Sequence, residues 1–265
     1  MHLKIHHKTE YSYTDPVRYA LQKVRLRPID SALQDVRDWS VDITGGKLET
    51  SYRDHYGNHV DLVSITPGAQ HISIEAHGTV DTKGTTGILG MAYGAAPLWH
   101  FKQATPATRP GPGIAELSKV IGQSDTVLDG LHALSAAIAE KLPYRTGVTT
   151  ATTTAEEALS SDAGVCQDHA QIFISAARVA GIPARYVSGY LMMDDRVDQD
   201  ATHAWAEAHV ENLGWVGFDI SNGLSPDLRY VCIATGRDAR DASPIAGLRM
   251  GTGDETLIVS LQVQQ

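Results

Sequence analysis

The sequence predicts an α+β protein, in which an antiparallel β-domain precedes a core of helices packed on a second antiparallel sheet. Segments of the first third, such as residues 2–8 and 39–43, alternate apolar and polar residues, which is typical of strands with one wetted face. Beyond a stretch rich in glycine and proline, apolar residues recur at helical spacing, and alternating segments then return. A chain of 265 residues can hold one large or two modest domains. We divide it into a β-domain at 1–82, a connection at 83–113, a core at 114–235 and a tail at 236–265 with a final strand.

The β-domain is predicted to be an antiparallel sheet or sandwich, because each of its strands has one polar face. A hairpin turn is expected at 56–58 (Tyr-Gly-Asn), between strands at 51–55 and 59–65. Further strands are expected at 2–8, 24–27, 39–43 and 71–80.

Four helices and at least four strands are predicted after the connection. Pro143 ends the second helix, Thr154 is a suitable N-cap residue for the third, and Gly181 with Pro183 ends the fourth. The helices are expected at 114–121, 127–142, 154–159 and 166–180. The strands are expected at 184–190, 202–210, 215–220 and 229–234, and one more at 256–263 could return to either sheet.

Composition excludes several classes of function. Asp and Glu number 31 against 22 Lys and Arg, a net charge of −9, which repels phosphate backbones and anionic membranes. We therefore expect no nucleic-acid and no membrane partner. The N-terminus lacks the apolar run of a signal peptide, and no apolar stretch approaches bilayer length. We expect a cytoplasmic protein whose two cysteines, too few for a disulfide framework, remain thiols.

The segment 164–168 (Gly-Val-Cys-Gln-Asp) ends a loop and opens the fourth predicted helix. A thiol at a helix N-terminus lies beside exposed backbone N–H donors and the positive end of the helix dipole, and both stabilise a thiolate. The same donors could bind an oxyanion. Cys166 is therefore a candidate nucleophile, the alternative being a small buried side chain. Cys232, inside the apolar segment 230–233, fits that alternative.

A histidine and an aspartate on two neighbouring predicted strands complete a catalytic pattern. His203 opens a strictly alternating run, and Asp219 ends the next one. Facing the thiol, they would form a thiol–imidazole–carboxylate arrangement, in which His203 takes the thiol proton and Asp219 orients the imidazole.

Spacing alone does not establish this triad. A simple hairpin centred on the turn 212–214 would pair His203 with Gly223 and Asp219 with Glu207. The triad then requires a bulge, a shifted turn or an approach from beyond the strand start.

Several segments resemble the core motifs of bacterial transglutaminase-like proteins, members of the papain-like cysteine protease superfamily. They are 164–168 (GVCQD), 202–205 (THAW) and 217–223 (GFDISNG). Segment 180–190 is similar to the family's strand after the cysteine helix, and the strands through 56–58 resemble a β-domain that precedes this core in one bacterial subgroup. The resemblance spans nearly the whole chain and implies a transglutaminase-like, papain-like core.

The resemblance implies that Cys166 is the nucleophile, His203 the general base and acid, and Asp219 the orienting carboxylate. His169 departs from the family pattern, since relatives carry an aromatic or other apolar residue there. We interpret it as a tolerated helix residue, the alternative being a second titrating group near the thiol. Tyr144 is a further candidate, as a second oxyanion donor.

Metal and cofactor sites are not predicted. The candidate metal ligands Cys166, His169, His203, His209 and Asp219 show no close spacing such as Cys-x-x-Cys, and His203 and His209 lie about 20 Å apart on an extended strand. The glycine-rich connection contains no phosphate-binding pattern. We therefore expect neither a metal nor a cofactor.

We predict an enzyme that transfers acyl groups from a peptide, protein or amide substrate through a thioester at Cys166. Hydrolysis, as in a peptidase or amidase, is favoured because no tunnel that would exclude water is recognisable. The alternatives are amine transfer to protein glutamine, as in a transglutaminase, and a catalytically inert binding module of the same fold. Retention of all three polar residues argues against the inert module, while the physiological substrate and the oligomeric state are left open.

Overall fold

The computed structural model describes residues 1–84, 86–91 and 94–265, so residues 85, 92 and 93 of the predicted connection lie outside the described residues. Antiparallel N-terminal sheets followed by helices and a further antiparallel sheet confirm the predicted α+β class. The strands described are β1 His2–Tyr13, β2 Tyr19–Val24, β3 Gln34–Thr44, β4 Gly46–Arg53, β5 His59–Ile65, β6 His71–Thr82, β7 Ile88–Gly90, β8 Ala184–Leu191, β9 Asp198–Gln199, β10 His203–Val210, β11 Gly214–Phe218, β12 Tyr230–Gly236, β13 Ile245–Met250 and β14 Glu255–Gln264. The α-helices described are α1 Pro112–Ser118, α2 Val127–Lys141, α3 Ala155–Leu159 and α4 Cys166–Val179. Two 3-10 segments are Leu98–Lys102 and Lys119–Gln123.

Two antiparallel sheets form the β-domain. One has the strand order β3-β6-β1-β14-β9, and the other has the order β13-β2-β5-β4. Apolar side chains from alternate positions of both sheets share one core, among them Ile5, Val63 and Ile74. The alternation in the sequence therefore reflects one buried and one wetted face per sheet.

The tail contributes two strands to this β-domain. β14 pairs with β1, placing Leu261 opposite His7, and β13 pairs with β2, placing Leu248 opposite Leu21. Of these two strands, only β14 was predicted from the sequence. β13 is a short edge strand whose side chains are half-buried or exposed, so it carries no apolar alternation.

Helix α4 lies against the core sheet, whose strand order is β12-β8-β10-β11-β7. Every residue of α4 from Asp168 to Arg178 is buried. Ala204, Ala206 and Ala208 of β10 share one apolar cluster with the helix. A buried helix fixed on a sheet in this way holds its first residue in a defined place.

The predicted connection contains regular structure among its described residues. β7 forms the edge of the core sheet, with Ile88 opposite Val216, and the 3-10 segment Leu98–Lys102 packs Phe101 against Trp215 at a ring distance of 5.1 Å. Neither element was predicted, because both lie in a segment rich in glycine and proline and are too short to show a periodicity.

Two side-chain amides join the β-domain to β12, the edge strand of the core sheet. Gln34 accepts from Cys232 N–H at 2.8 Å and donates to its carbonyl at 2.9 Å. Asn58 accepts from Thr235 N–H and donates to its carbonyl, both at 2.8 Å. The two amides thus form hydrogen bonds with backbone groups on the open edge of β12, as a neighbouring strand would.

Across the described residues, no helix combines the length and the apolar content that crossing a bilayer requires.

Candidate active site

Helix α4 places Cys166 at its first position, after the N-cap residue Val165. Asp168 holds this start, because its Oδ2 accepts from Val165 N–H at 2.8 Å and from the Thr149 hydroxyl at 2.6 Å. The first helical bond runs from His169 N–H to the Val165 carbonyl. The N–H groups of the first turn, including that of Cys166, have no preceding helical carbonyl and can face an anion.

His203 and Asp219 form a buried hydrogen bond. The imidazole Nε2 lies 2.6 Å from Asp219 Oδ2, and the two side chains are 8% and 1% exposed. His203 begins β10 and Asp219 directly follows β11, so neighbouring strands supply the pair. This bond leaves Nδ1 of the ring for a second partner.

The turn between β10 and β11 lies one residue earlier than predicted. Val210 pairs with Gly214, so the hairpin centres on Asn212. Asn212 and Gly214 both adopt positive φ, at 66° and 79°. An asparagine and a glycine tolerate this left-handed backbone, which closes the shorter turn.

The predicted pairings of His203 with Gly223 and of Asp219 with Glu207 are therefore wrong. Extending the observed register by one residue places Asp219 opposite Trp205, on the same face as His203 and diagonal to it. A diagonal separation on a sheet is within reach of an imidazole ring. Of the three possibilities named from the sequence (a bulge, a shifted turn or an approach from beyond the strand start), the structure shows the shifted turn.

Two further donors hold the Asp219 carboxylate. Its Oδ2 accepts from the Tyr230 hydroxyl at 2.6 Å and from the Asn222 side-chain amide at 2.7 Å. Burial would raise the pKa of Asp219, but the hydrogen bonds from His203, Tyr230 and Asn222 lower it below its usual value. Burial and the charge of Asp219 raise the pKa of Tyr230, so its hydroxyl remains a donor.

His203 links this carboxylate to the thiol. Burial would lower the pKa of the imidazole, but hydrogen bonds with Asp219 and Cys166 outweigh burial and raise the pKa of His203 to about 10. A cationic imidazole between a carboxylate and a thiol is the arrangement that supports a thiolate–imidazolium pair. The structure brings together all three side chains singled out in the sequence.

The thiol and the imidazole open onto a cavity of about 490 Å³. Tyr144 and Ser221 line this cavity, and so do residues of the segment 193–202. Tyr144 is tied to the site by a backbone bridge to Gly164, two residues before the cysteine. Burial and the charges of Cys166 and Asp219 raise the pKa of Tyr144, so its hydroxyl is a donor beside the thiol.

His169 is a buried residue whose imidazole ring is hydrogen-bonded at both nitrogens beside the site. It is 2% exposed, its Nε2 donates to the Leu142 carbonyl at 2.7 Å, and its Nδ1 lies 2.7 Å from the Ser221 hydroxyl. Burial lowers the pKa of His169, consistent with a neutral ring that donates at one nitrogen and accepts at the other. The sequence led us to interpret His169 as a tolerated helix residue and did not predict these two hydrogen bonds.

Other candidate residues lie outside the triad. His209 contacts Trp215 at the far end of β10. Cys232 lies in β12 and packs beside Trp205. Among the described residues, no group of three or more His, Cys, Asp or Glu side chains could hold a metal ion.

Asn222 and Tyr230 are the site residues that the sequence did not predict. Asn222 lies three positions after Asp219, a spacing typical of a local turn, and it falls within the motif 217–223, although no role was assigned to it from the sequence. Tyr230 reaches Asp219 from another strand, so no short-range pattern marks it.

Two family models match the chain. Residues 115–220 match the model of the transglutaminase-like superfamily, and residues 3–81 match that of the bacterial transglutaminase-like N-terminal region. Together they span most of the sequence.

The chain is also similar to several known proteins over almost its whole length. It is 29% identical over 289 residues to an uncharacterized protein of Mycobacterium tuberculosis, covering 98% of this chain and 91% of that protein. It is 26% identical over 275 residues to an uncharacterized protein of Mycobacterium leprae, covering 98% of both. A solved structure of a Cytophaga hutchinsonii protein, named a putative cysteine protease, superposes with a TM-score of 0.79 at 23% identity, covering 100% of this chain and 90% of that one. That likeness shows a shared fold.

Proposed function

The chain belongs to the transglutaminase-like superfamily, with a core of that type behind a bacterial transglutaminase-like N-terminal region, and on this premise we propose that it is a cysteine-dependent acyl-transfer enzyme. It would cleave peptide or other amide bonds through a thioester at Cys166, with water as the final acceptor. The observation that carries this proposal is the position of His203, which is hydrogen-bonded to Asp219 and lines the same cavity as Cys166, whose proximity helps to raise the pKa of the imidazole.

In the first half-reaction, the Cys166 thiolate attacks the carbonyl carbon of the substrate. The S–C bond forms as the carbonyl electrons move onto oxygen, which the backbone N–H of Cys166 can stabilise at the start of α4. As the C–N bond breaks, the His203 imidazolium gives its proton to the leaving nitrogen. A neutral amine departs and the thioester remains, while Asp219 keeps the imidazole oriented.

In the second half-reaction, neutral His203 takes a proton from water as the water oxygen attacks the thioester. The C–S bond breaks, the carboxylic acid leaves, and the thiolate and the imidazolium are restored. Each proton taken is returned, so the enzyme ends the cycle unchanged.

The mouth of the cavity supports hydrolysis. Arg196, Asp198 and Asp200 line it and are exposed, so water can reach the thioester. The second candidate is amine transfer, which the same two aspartates favour because they would attract an ammonium acceptor.

Acylation of Cys166 is the direct test. The purified chain is treated with p-nitrophenyl acetate and, separately, with benzyloxycarbonyl-Gln-Gly. We expect an acyl group on Cys166 by peptide mass spectrometry, and turnover that falls about 10³-fold or more in Cys166→Ala. Cys232→Ala is the matched control and should keep both signals, because Cys232 lies in β12 outside the cavity.

Added hydroxylamine separates the alternatives. Hydrolysis predicts that the acid predominates over the hydroxamate, whereas a predominant hydroxamate would make amine transfer the correct function. If Cys166 is alkylated by iodoacetamide but never acylated by either donor, the chain is an inert module and the proposal is wrong.

A further inference from the structure

A second large cavity lies where the β-domain, the connection and the core meet. This junction cleft has a volume of about 620 Å³, within the usual range of ligand sites. Small apolar residues from all parts form its walls, namely Pro106, Ala107, Ala151, Ala239 and Ala246. No residue lines both this cleft and the cavity of the thiol, although Gln167, which follows Cys166, lines the cleft.

A buried amide oxygen in the junction cleft has no hydrogen-bond partner. Gln171, on α4, is 1% exposed and lines the cleft, and its Nε2 donates to the Thr153 carbonyl at 3.4 Å. Its Oε1 has no partner among the described residues. An unsatisfied buried acceptor is costly, so a small rotation of the Gln171 side chain that brings this oxygen to an N–H donor in the cleft would be favourable.

An uncompensated cation lies in the same cleft. Arg240 is exposed and lines it, and none of the described carboxylates forms an ion pair with its guanidinium. The Asp238 carboxylate also lines the cleft, but its Oδ1 accepts from the backbone N–H groups of Arg240 and Asp241. Its charge also interacts with the buried guanidinium of Arg178. The cleft therefore presents one available positive charge on a chain whose net charge is −9.

We propose that the junction cleft is a second binding site, which takes a peptide segment carrying a carboxylate. A backbone N–H of the peptide would donate to Gln171 Oε1, and the carboxylate would accept charge-assisted hydrogen bonds from Arg240. The alanine and proline walls leave room for an extended backbone with small side chains. This site does not depend on the acyl-transfer chemistry, because it shares no residue with the cavity of Cys166.

The test is isothermal titration calorimetry on the full chain with Cys166 alkylated by iodoacetamide, which blocks the thiol and prevents turnover. The probe is N-acetyl-Ala-Ala-Glu with a free C-terminus, and N-acetyl-Ala-Ala-Gln amide is its neutral counterpart. We expect saturable one-to-one binding of the acidic peptide, and binding of the neutral peptide weaker by about tenfold or more.

Three variants locate the site. Arg240→Gln and Gln171→Met should each weaken binding of the acidic peptide, the first by about tenfold or more. Arg18→Gln removes an exposed cation from the β-domain and is the matched charge control. This variant should bind the acidic peptide with the same affinity as the parent chain. Thermal melts confirm that each variant is folded, and exposed Arg240 can be replaced without disturbing the core.

Absence of saturable binding up to about 1 mM peptide would overturn the proposal. So would unchanged affinity in either Arg240→Gln or Gln171→Met, or an equal loss in Arg18→Gln, which would mean general charge attraction. Binding that requires an unmodified Cys166 would place the peptide in the thiol cavity instead.

Discussion

A single oxygen atom organises the candidate catalytic residues. Asp219 Oδ2 lies within 2.7 Å of donors on His203, Tyr230 and Asn222, while Oδ1 lies 3.3 Å from the Asn222 backbone N–H. Trp205 stacks on the imidazole of His203 at 6.3 Å and meets the Tyr230 ring edge-on at 5.4 Å. The imidazole therefore has a fixed plane and a fixed orientation before any substrate arrives, which is the preorganisation that acid–base catalysis requires.

Asp219→Asn should move the alkaline limb of the pH profile of kcat/KM to lower pH. In the parent chain, hydrogen bonds and charges from Asp219 and Cys166 overcome burial and raise the pKa of His203 to about 10. Removal of the carboxylate charge lowers that pKa, so the imidazolium is lost earlier as pH rises. We also expect kcat/KM to fall about 10²–10⁴-fold, because the ring loses its orienting partner. The measurement is ammonia release from benzyloxycarbonyl-Gln-Gly across pH, because departure of the amine needs the proton of the imidazolium.

The same substitution should alter the dependence of stability on pH. The folded pKa of His203 lies above the ordinary histidine pKa of 6.5, so its contribution to the free energy of unfolding is complete below about pH 6.5 and is lost as pH rises toward 10. Urea unfolding should show a smaller alkaline loss in Asp219→Asn than in the parent chain. Asp162→Asn, at an exposed position, is the charge control. An alkaline limb that stays in place in Asp219→Asn would contradict the assigned pair.

At the level of elements, long periodic segments were predictable and short edge strands were not. Helix α4 begins at Cys166, as the loop residues before it and the apolar run after it indicated. β9 and β13 could not be predicted, because one has two residues and the other exposes its side chains. The contact of Tyr230 with Asp219 depends on strand order, which no local pattern records.

His169 is the link between three elements of the site. It lies on α4, bonds the chain after α2 through Leu142, and bonds the turn after β11 through Ser221, next to Asn222. His169→Phe would place an aromatic ring there and leave two partners unsatisfied. We expect the free energy of unfolding to fall by about 1–3 kcal/mol and kcat to fall more than KM rises, because the Asp219 turn loosens.

Urea unfolding and steady-state kinetics measure these changes. His132→Phe is the matched control: the ring of His132, on α2, lies 5.0 Å from that of Phe218, a contact that phenylalanine keeps, and none of the described hydrogen bonds involves it, so neither quantity should change much. Burial lowers the pKa of His169, so the unfolded chain binds that proton first and stability falls below about pH 6.5. His169→Phe should show a smaller loss on that acid side. A variant as stable and as active as the parent would show that the three elements are held by other contacts.

At the scale of the whole molecule, the β-domain is joined to the core at the edge strand that carries Tyr230. Gln34 and Asn58 supply amide groups that bond Cys232 and Thr235 of β12. An edge strand left open would expose unpaired backbone groups, and here the β-domain covers them. The β-domain therefore supports the strand that positions a donor to the Asp219 carboxylate.

Asn58→Ala should consequently weaken the core as well as the β-domain. Asn58 is 2% exposed and loses three hydrogen bonds on replacement, two to Thr235 and one to Asp54. We expect the free energy of unfolding to fall by about 2–4 kcal/mol, and the amides of β12 to exchange with deuterium faster than those of β10. Gln123→Ala, at an exposed position after α1, is the control and should leave both measurements unchanged. If exchange in β12 is unaffected while the β-domain alone loosens, the two parts are stable independently. The edge contacts would then be a consequence of docking and not a source of the core's stability.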